Sequence, residues 1–161
     1  MMFRRSAIAA AIVAACSTAN AGDLARAYAD KANNVHIVTA AGKDVRLTSD
    51  RRAEDVRLSP DGEIATWLVT PRAAIDGRKW PRELRVYHRG RTGAIKCSGI
   101  IREYWFWKQG MYIATDCGGM HFAGIETLYD ARSLQPVDRF DQAEVPVDRR
   151  PEWSTSNTGN E

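Results

Sequence analysis

The longest apolar segment after residue 21 covers residues 100–117, and a turn signal, Gln109-Gly110, divides it into two halves. An apolar run on each side of a short turn predicts a β-hairpin. Side chains of a strand alternate between two faces. The alternation assigns Ile101, Glu103, Trp105 and Trp107 to one face of the first strand, and Ile100, Arg102, Tyr104 and Phe106 to the other. Both faces carry apolar groups, so the strand is expected to need cover on both sides.

The same period of two continues from residue 35 to about residue 141, which predicts an all-β domain over residues 35–145. Turns rich in Gly, Pro, Asp and Asn separate its short strands, as in Ser59-Pro60-Asp61-Gly62. Two flanking segments differ. Residues 22–34 hold good helix formers after the N-cap candidate Asp23, which predicts a short N-terminal helix or tether. Residues 146–161 are polar with a single aromatic, Trp153, which predicts a flexible tail.

The β region repeats itself. Residues 61–66 align with residues 109–115, and residues 84–88 align with residues 126–130, which indicates units near 55–98 and 100–141. The sequence also predicts a hairpin at 35–48, with its turn at Ala41-Gly42-Lys43. This hairpin corresponds to the last half of a preceding unit. Several residues of the first unit resemble a known repeat. They are Leu58-Ser59-Pro60-Asp61-Gly62, Ile64-Ala65, Val86-Tyr87 and Thr92-Gly93.

These positions are similar to the WD40-like blade repeat of TolB-type β-propellers. The resemblance implies an incomplete β-propeller-like stack of antiparallel sheets, with about two and a half blades. Closed propellers have four or more blades, so a stack of this size would not form a ring. Sheet edges and apolar faces that stay uncovered are expected to bind a partner.

The first 21 residues have the pattern of a secretory signal peptide, with Arg4 and Arg5 before an apolar run and Ala19-Asn20-Ala21 before Gly22. This predicts a periplasmic protein. A second site competes, because Val13-Ala14-Ala15-Cys16 resembles a lipobox. Residues 1–15 would then be a lipoprotein signal, and the chain would be anchored to the membrane through a lipidated Cys16.

Either cleavage leaves Cys97 and Cys117 as the remaining cysteine pair. In an oxidising compartment such a pair is expected to form a disulfide. Closing a loop of this length stabilises a fold by about 3 kcal/mol in the chain-entropy description.

Charge and motifs exclude several function classes. The chain has 23 Lys and Arg against 20 Asp and Glu, interspersed without a basic block, so no nucleic-acid partner is predicted. No motif of a hydrolase, zinc protease or phosphate-binding loop is present, and we therefore predict no enzyme, no metal and no cofactor. Ser98, Asp116 and His121 are candidates for a hydrolytic set, but we expect Asp116 and His121 to cap strands beside the disulfide instead.

Two loops carry the candidate partner-binding residues. In the repeat alignment residues 71–83 and 116–121 are the same connection in successive units, so they are expected at one edge of the sheets. Trp and Arg are frequent hot-spot residues of protein interfaces. The predicted residues are Asp76, Arg78, Lys79 and Trp80 in the first loop, and Gly118, Gly119, Met120 and His121 in the second. The alternative is a solvated rim with Trp80 folded onto the core.

The plan of a short secreted chain with projecting loops resembles the periplasmic immunity proteins of type VI-secreted peptidoglycan amidases. That resemblance implies an inhibitor that blocks a cell-wall hydrolase by placing one loop in its active site. Two other classes stay open: a cell-wall glycan-binding module that uses Trp80 and Trp105, and an envelope lipoprotein scaffold. Homodimerisation also stays open.

Overall fold

The computed structural model describes residues 23–74 and 77–155, and its regular structure is almost entirely β. The predicted all-β class is confirmed. The eleven strands are β1 Leu24–Ala29, β2 Val35–Thr39, β3 Asp44–Arg46, β4 Ala53–Leu58, β5 Ile64–Val69, β6 Glu83–His88, β7 Arg91–Lys96, β8 Ile100–Trp107, β9 Tyr112–Gly118, β10 Ile125–Asp130 and β11 Pro136–Asp141. Short 3-10 turns lie at Lys108–Gly110 and Val147–Arg149.

The predicted N-terminal helix is wrong, because residues 24–29 form β1. This strand pairs antiparallel with β2, from Leu24 opposite Thr39 to Ala29 opposite Val35. Leu24 is buried and Ala27 packs beside it in the core. Intrinsic helix preference is worth only a fraction of a kcal/mol per residue. Pairing with β2 and burial of Leu24 therefore outweigh the helix-forming composition.

The strands form three antiparallel sheets, each with its strands in sequential order. Sheet I contains β1 to β3, sheet II β4 to β7 and sheet III β8 to β11. Sheets II and III extend over residues 53–96 and 100–141. These spans correspond closely to the two units that the sequence repeat indicates.

Sheet II lies in the middle of the stack. One of its faces contributes Ile64, Leu84 and Val86 to a core shared with Tyr104 and Ile113 of sheet III. Its other face packs against sheet I, as seen in the contact of Ala65 and Trp67 with the sheet I residues Ile37 and Val35. Strand β5 is accordingly buried on both faces, which explains why all its residues except Thr66 are apolar.

Two strands, β4 and β8, meet along an inner seam of the stack. Arg57 of β4 donates from Nη1 to the carbonyl oxygen of Tyr104 in β8 at 2.6 Å. Tyr104 is fully buried, and its hydroxyl donates to the carbonyl oxygen of Asp55. Burial raises the pKa of the Tyr104 phenol, so this hydroxyl remains a donor at neutral pH. The seam fixes β8 relative to β4.

The outer face of sheet III is covered by residues 145–155. Trp153 is buried against Phe140, and its ring nitrogen donates to Asp138 at 2.9 Å. The fully buried carboxylate of Glu126 accepts hydrogen bonds from the main-chain nitrogen and hydroxyl of Thr155 at 3.1 and 3.0 Å. The prediction of a flexible tail therefore needs correction over residues 146–155, because this segment packs on the sheet. Residues 156–161 lie outside the described residues.

The outer face of sheet I carries a polar network. Asp44 accepts hydrogen bonds from the Tyr28 hydroxyl at 2.6 Å and lies 2.7 Å from Nδ1 of His36. The other ring nitrogen of His36 lies 3.5 Å from Asp30, and Arg26 stacks on the Tyr28 ring. Terminal units of repeat proteins have polar outer faces of this kind. The network gives the first end of the stack a hydrated surface.

The same network predicts a pH dependence of stability. Hydrogen bonds from Tyr28 and His36 hold the pKa of Asp44 below its ordinary value of 3.8. A carboxyl whose pKa is depressed by folding contributes stability above its unfolded pKa, and this contribution is lost as the pH falls through the folded pKa. We expect Asp44→Asn to lower the thermal midpoint at neutral pH, and the difference from the unmodified protein to shrink below about pH 4. Thermal unfolding across this range checks it; a difference that is constant with pH would contradict it.

Candidate functional site

Two loops meet at one edge of sheets II and III. One joins β5 to β6 and carries Trp80; the other joins β9 to β10 and carries Met120. Both residues line the same surface depression, whose volume is about 340 Å³. Its other lining residues are Leu68, Pro81, Ile100, Ile101 and Arg102. We call the surface formed by Arg78, Lys79, Trp80, Met120, His121 and Phe122 the Trp80–Phe122 edge.

A disulfide anchors the second loop at its base. Cys97 and Cys117 are bonded, with their Cα atoms 5.8 Å apart. Cys97 directly follows β7 of sheet II, and Cys117 lies in β9 of sheet III. The predicted disulfide is therefore present, and it joins the two sheets beside the loop.

Arg102 braces the loop from below. Its guanidinium donates to the carbonyl oxygen of Phe122 at 3.0 Å, to Asp116 at 2.6 Å and to the side-chain oxygen of Gln142 at 2.7 Å. The same oxygen of Gln142 accepts a hydrogen bond from Gly124 at 2.9 Å. The guanidinium of Arg102 thus links β9, the strand that leads into the loop, to the main chain of the loop.

Glycine at position 124 is required by this brace. A Cβ atom there would collide with the guanidinium of Arg102 and with the carboxylate of Asp116. Both groups are committed to each other by an ion pair, so neither is free to move aside. The Arg102 brace and a glycine at position 124 therefore depend on one another.

The tip of the loop projects apolar side chains into solvent. Phe122 is 76% exposed and Met120 is 49% exposed. The five exposed large apolar side chains of the described residues are Met111, Met120, Phe122, Val137 and Val147. Two of these five are thus neighbours in one braced loop, beside the depression at Trp80.

Phe122 was not among the predicted site residues. The sequence pattern predicts a strand that starts at His121, whereas β10 starts at Ile125. Residues 119–124 therefore form a longer loop than expected. The signal was Gly124, which together with Gly119 brackets the four residues Met120 to Ala123. Glycines on both sides of a short segment are typical of a loop.

The first loop carries two cationic side chains directly before Trp80 in the sequence. The guanidinium of Arg78 lies 5.6 Å from the centre of the Trp80 ring, and Lys79 is exposed. Within the described residues neither Arg78 nor Lys79 forms an ion pair. The chain from 71 to 82 also holds Arg72 and Arg82. The first loop therefore places one cation, Arg78, beside the Trp80 ring that lines the depression.

The predicted residues fall into three groups. Arg78, Lys79, Trp80, Met120 and His121 lie at the Trp80–Phe122 edge, as described above. Gly118 ends β9, and Gly119 lies under the ring of Phe122, where an added Cβ atom would be only 3.1 Å from a ring carbon. Asp76 and Cys16 lie outside the described residues, as does the predicted leader.

The candidate hydrolytic set has one member committed elsewhere. Asp116 is largely buried and paired with Arg102, while His121 is exposed in the loop.

Between residues 23 and 155, leaving out 75 and 76, no three His, Cys, Asp or Glu side chains are grouped so that they could hold a metal ion. Over the same ranges, no helix has the length and apolar character needed to cross a membrane.

The predicted faces of β8 need one correction. A bulge between Ile101 and Glu103 shifts the register of β8 on β9. Ile101 consequently packs in the same core as Tyr104 and Phe106, not on the face of Trp105 and Trp107. A bulge inserts one extra residue, which reverses the alternation on one side of it. Trp80 and Trp105 line different depressions and do not form one platform.

The chain was compared with protein-family models and with curated protein sequences. No protein-family model matches the chain, and no curated protein sequence matches it.

Proposed function

We propose that this protein is a periplasmic inhibitor of the immunity type, which blocks a secreted cell-wall hydrolase by occluding its active site. The Trp80–Phe122 edge is the contact surface in this proposal. The observation that carries it is the braced loop 119–124, which holds the exposed ring of Phe122 above a disulfide and the Arg102 hydrogen bonds.

Pre-organisation supports a binding role for this loop. A flexible loop loses conformational entropy when a partner immobilises it, and that loss weakens binding. Here the disulfide, the Arg102 contacts and the Gln142 contact to Gly124 fix the loop without a partner. Solvation of Phe122 and Met120 by water is unfavourable in the free protein. A partner that covers both side chains would gain apolar burial at little entropic cost.

The covered outer faces of the stack also favour the Trp80–Phe122 edge as the contact surface. Residues 145–155 pack on the outer face of sheet III, and the polar network of Asp44 and His36 occupies the outer face of sheet I. The two end faces of the stack are therefore occupied, and the Trp80–Phe122 edge offers two exposed apolar side chains, Met120 and Phe122, to a partner. This arrangement supports a propeller-like stack whose partner binds the projecting loops. The partner would not add a further sheet to the end of the stack.

A hydrolase is the proposed partner class because of the compartment and the shape of the loop. The signal-peptide pattern and the cysteine pair agree with a periplasmic location, where the substrate of cell-wall hydrolases is found. A narrow projecting loop fits a concave active site better than a flat surface. Within this class we favour a peptidoglycan amidase, from the resemblance to amidase immunity proteins.

An inhibition assay tests the proposal. The proposal predicts that a secreted hydrolase is encoded next to this gene. The purified protein would be mixed with that hydrolase at a stoichiometric ratio, and release of soluble fragments from purified peptidoglycan would be followed. We expect complete inhibition, and a 1:1 complex in size-exclusion chromatography. Hydrolysis at an unchanged rate with no complex would refute the proposed function.

A further inference from the structure

A second groove lies along the opposite half of β8, away from the Trp80 depression. Its volume is about 510 Å³. Consecutive residues of β8, whose side chains alternate between the two faces of the sheet, line the groove. Among the described strands, β8 pairs only with β9, so its other edge is free. The groove therefore runs along this free edge. The lining residues are Pro60, Glu103, Trp105, Phe106, Trp107, Lys108 and Gln109.

Two indole rings are held in place in this groove. The ring nitrogen of Trp105 donates to the carbonyl oxygen of Trp153 at 2.8 Å. Trp107 packs at the margin of the same core cluster, and both rings are partly exposed. Because the polar atom of Trp105 is already bonded inside the protein, the exposed part of its ring is an apolar surface. The groove is therefore lined by two indole rings, of which the Trp105 ring is fixed before any ligand binds.

Three polar side chains lie beside these rings, and one of them, Glu103, also interacts electrostatically with Arg57. The side chains of Glu103, Lys108 and Gln109 form no hydrogen bond or ion pair with any described residue. Neighbouring polar groups are engaged: Arg57 pairs with Asp55, and Ser59 donates to Asp61. The groove thus combines a carboxylate, an amide and an ammonium group that are all available to a ligand.

The turn that carries two of these side chains is conformationally disfavoured. Lys108 and Gln109 both have positive φ angles, 48° and 58°, and Gly110 follows with φ 102°. Positive φ at two successive residues with side chains is uncommon. Such conformations persist where the surrounding structure imposes them, and they concentrate at ligand sites. Here Gly110 is buried against Ser59 and Asp61, and the main-chain nitrogen of Asp61 donates to the Gln109 carbonyl at 3.2 Å.

We propose that this groove binds an oligosaccharide built of pyranose rings. A pyranose has an apolar face of C–H groups, which stacks on an indole ring, and a rim of hydroxyl groups that needs hydrogen-bond partners. Carboxylate and amide side chains accept and donate to such hydroxyls. Aromatic walls with Glu103 and Gln109 beside them supply both requirements, and the open groove accommodates a chain of rings. This inference concerns β8 and does not depend on the inhibitor proposal at the Trp80–Phe122 edge.

Titration of the full chain with defined oligosaccharides tests this site. Chitotetraose and cellotetraose, both linked β-1,4, would be added while tryptophan fluorescence and binding heat are recorded. We expect saturable binding of at least one of them, with a dissociation constant of about 1 mM or tighter. No saturable signal with either sugar would overturn the proposal.

Variants at the exposed polar side chains locate the site without disturbing the core. Removal of a hydrogen bond to a charged group is expected to weaken binding at least about tenfold for Glu103→Ala, and about fivefold for Gln109→Ala. The matched control is Glu54→Ala, an exposed glutamate of β4 whose truncation should leave binding unchanged. Binding that is insensitive to both groove variants would also overturn the proposal, because the sugar would then occupy another surface.

Discussion

Trp153→Ala is expected to lower the free energy of unfolding by about 3 to 5 kcal/mol, the usual cost of truncating a buried tryptophan. Trp153 is only 5% exposed and packs against Phe140. Its ring nitrogen bonds to Asp138, and its carbonyl oxygen accepts from Trp105. Without the indole, the outer face of sheet III would lose its cover. Asp138 would also lose the hydrogen bond that it accepts from the ring nitrogen of Trp153. Chemical denaturation followed by circular dichroism measures this loss.

Val147→Ala is the matched control for this substitution. Val147 belongs to the same segment but is 59% exposed, so its truncation should change stability by less than about 0.5 kcal/mol. A Trp153→Ala protein as stable as the Val147→Ala protein would mean that residues 146–155 do not cover the sheet. The sequence-based expectation of a flexible tail would then be the better description.

The second large effect is expected at the loop tip. Replacing both Met120 and Phe122 by alanine should weaken inhibition of the partner hydrolase by about a thousandfold, if each side chain contributes about 2 kcal/mol as a hot spot. Both side chains are exposed, so the stability of the free protein should stay the same. Inhibition constants for the single and double variants measure the effect and show whether the two contributions add.

Met111→Ala provides the control for these variants. Met111 is 57% exposed, comparable with Met120, but lies at the other end of the β8 and β9 hairpin. Its truncation should leave inhibition unchanged. Equal losses for Met111→Ala and for the double variant would place the contact surface away from the Trp80–Phe122 edge.

The sequence predicted much of the fold because its strands alternate regularly and its turns have specific chemistry. Ser59-Pro60-Asp61-Gly62 marks the end of β4, and the Ser59 hydroxyl accepts from the main chain of Ile64 at 2.9 Å, which closes the turn. Gln109-Gly110 marks the turn between β8 and β9 in the same way. Local signals of this kind are sufficient where a strand and its neighbour are close in sequence.

The remaining features depend on distant contacts. Residues 24–29 are helix formers in isolation and become a strand only because β2 and the core beside Ala65 are present. Trp153 looks solitary in a polar segment until Phe140 is placed next to it. Phe122 belongs to the loop because Arg102 and Gln142 hold the main chain at residues 122 and 124. These contacts join residues that are far apart in sequence, and only the loop at 119–124 has a local signal, its two bracketing glycines.

Hydrogen exchange of the complex with the hydrolase tests the central claim most directly. If the Trp80–Phe122 edge is the contact surface, amides of residues 77–82 and 118–124 should become protected on binding, while those of β1 and β3 on the outer sheet should not change. Protection confined to the outer face of sheet I, or to residues 103–109 of the second groove, would contradict the account.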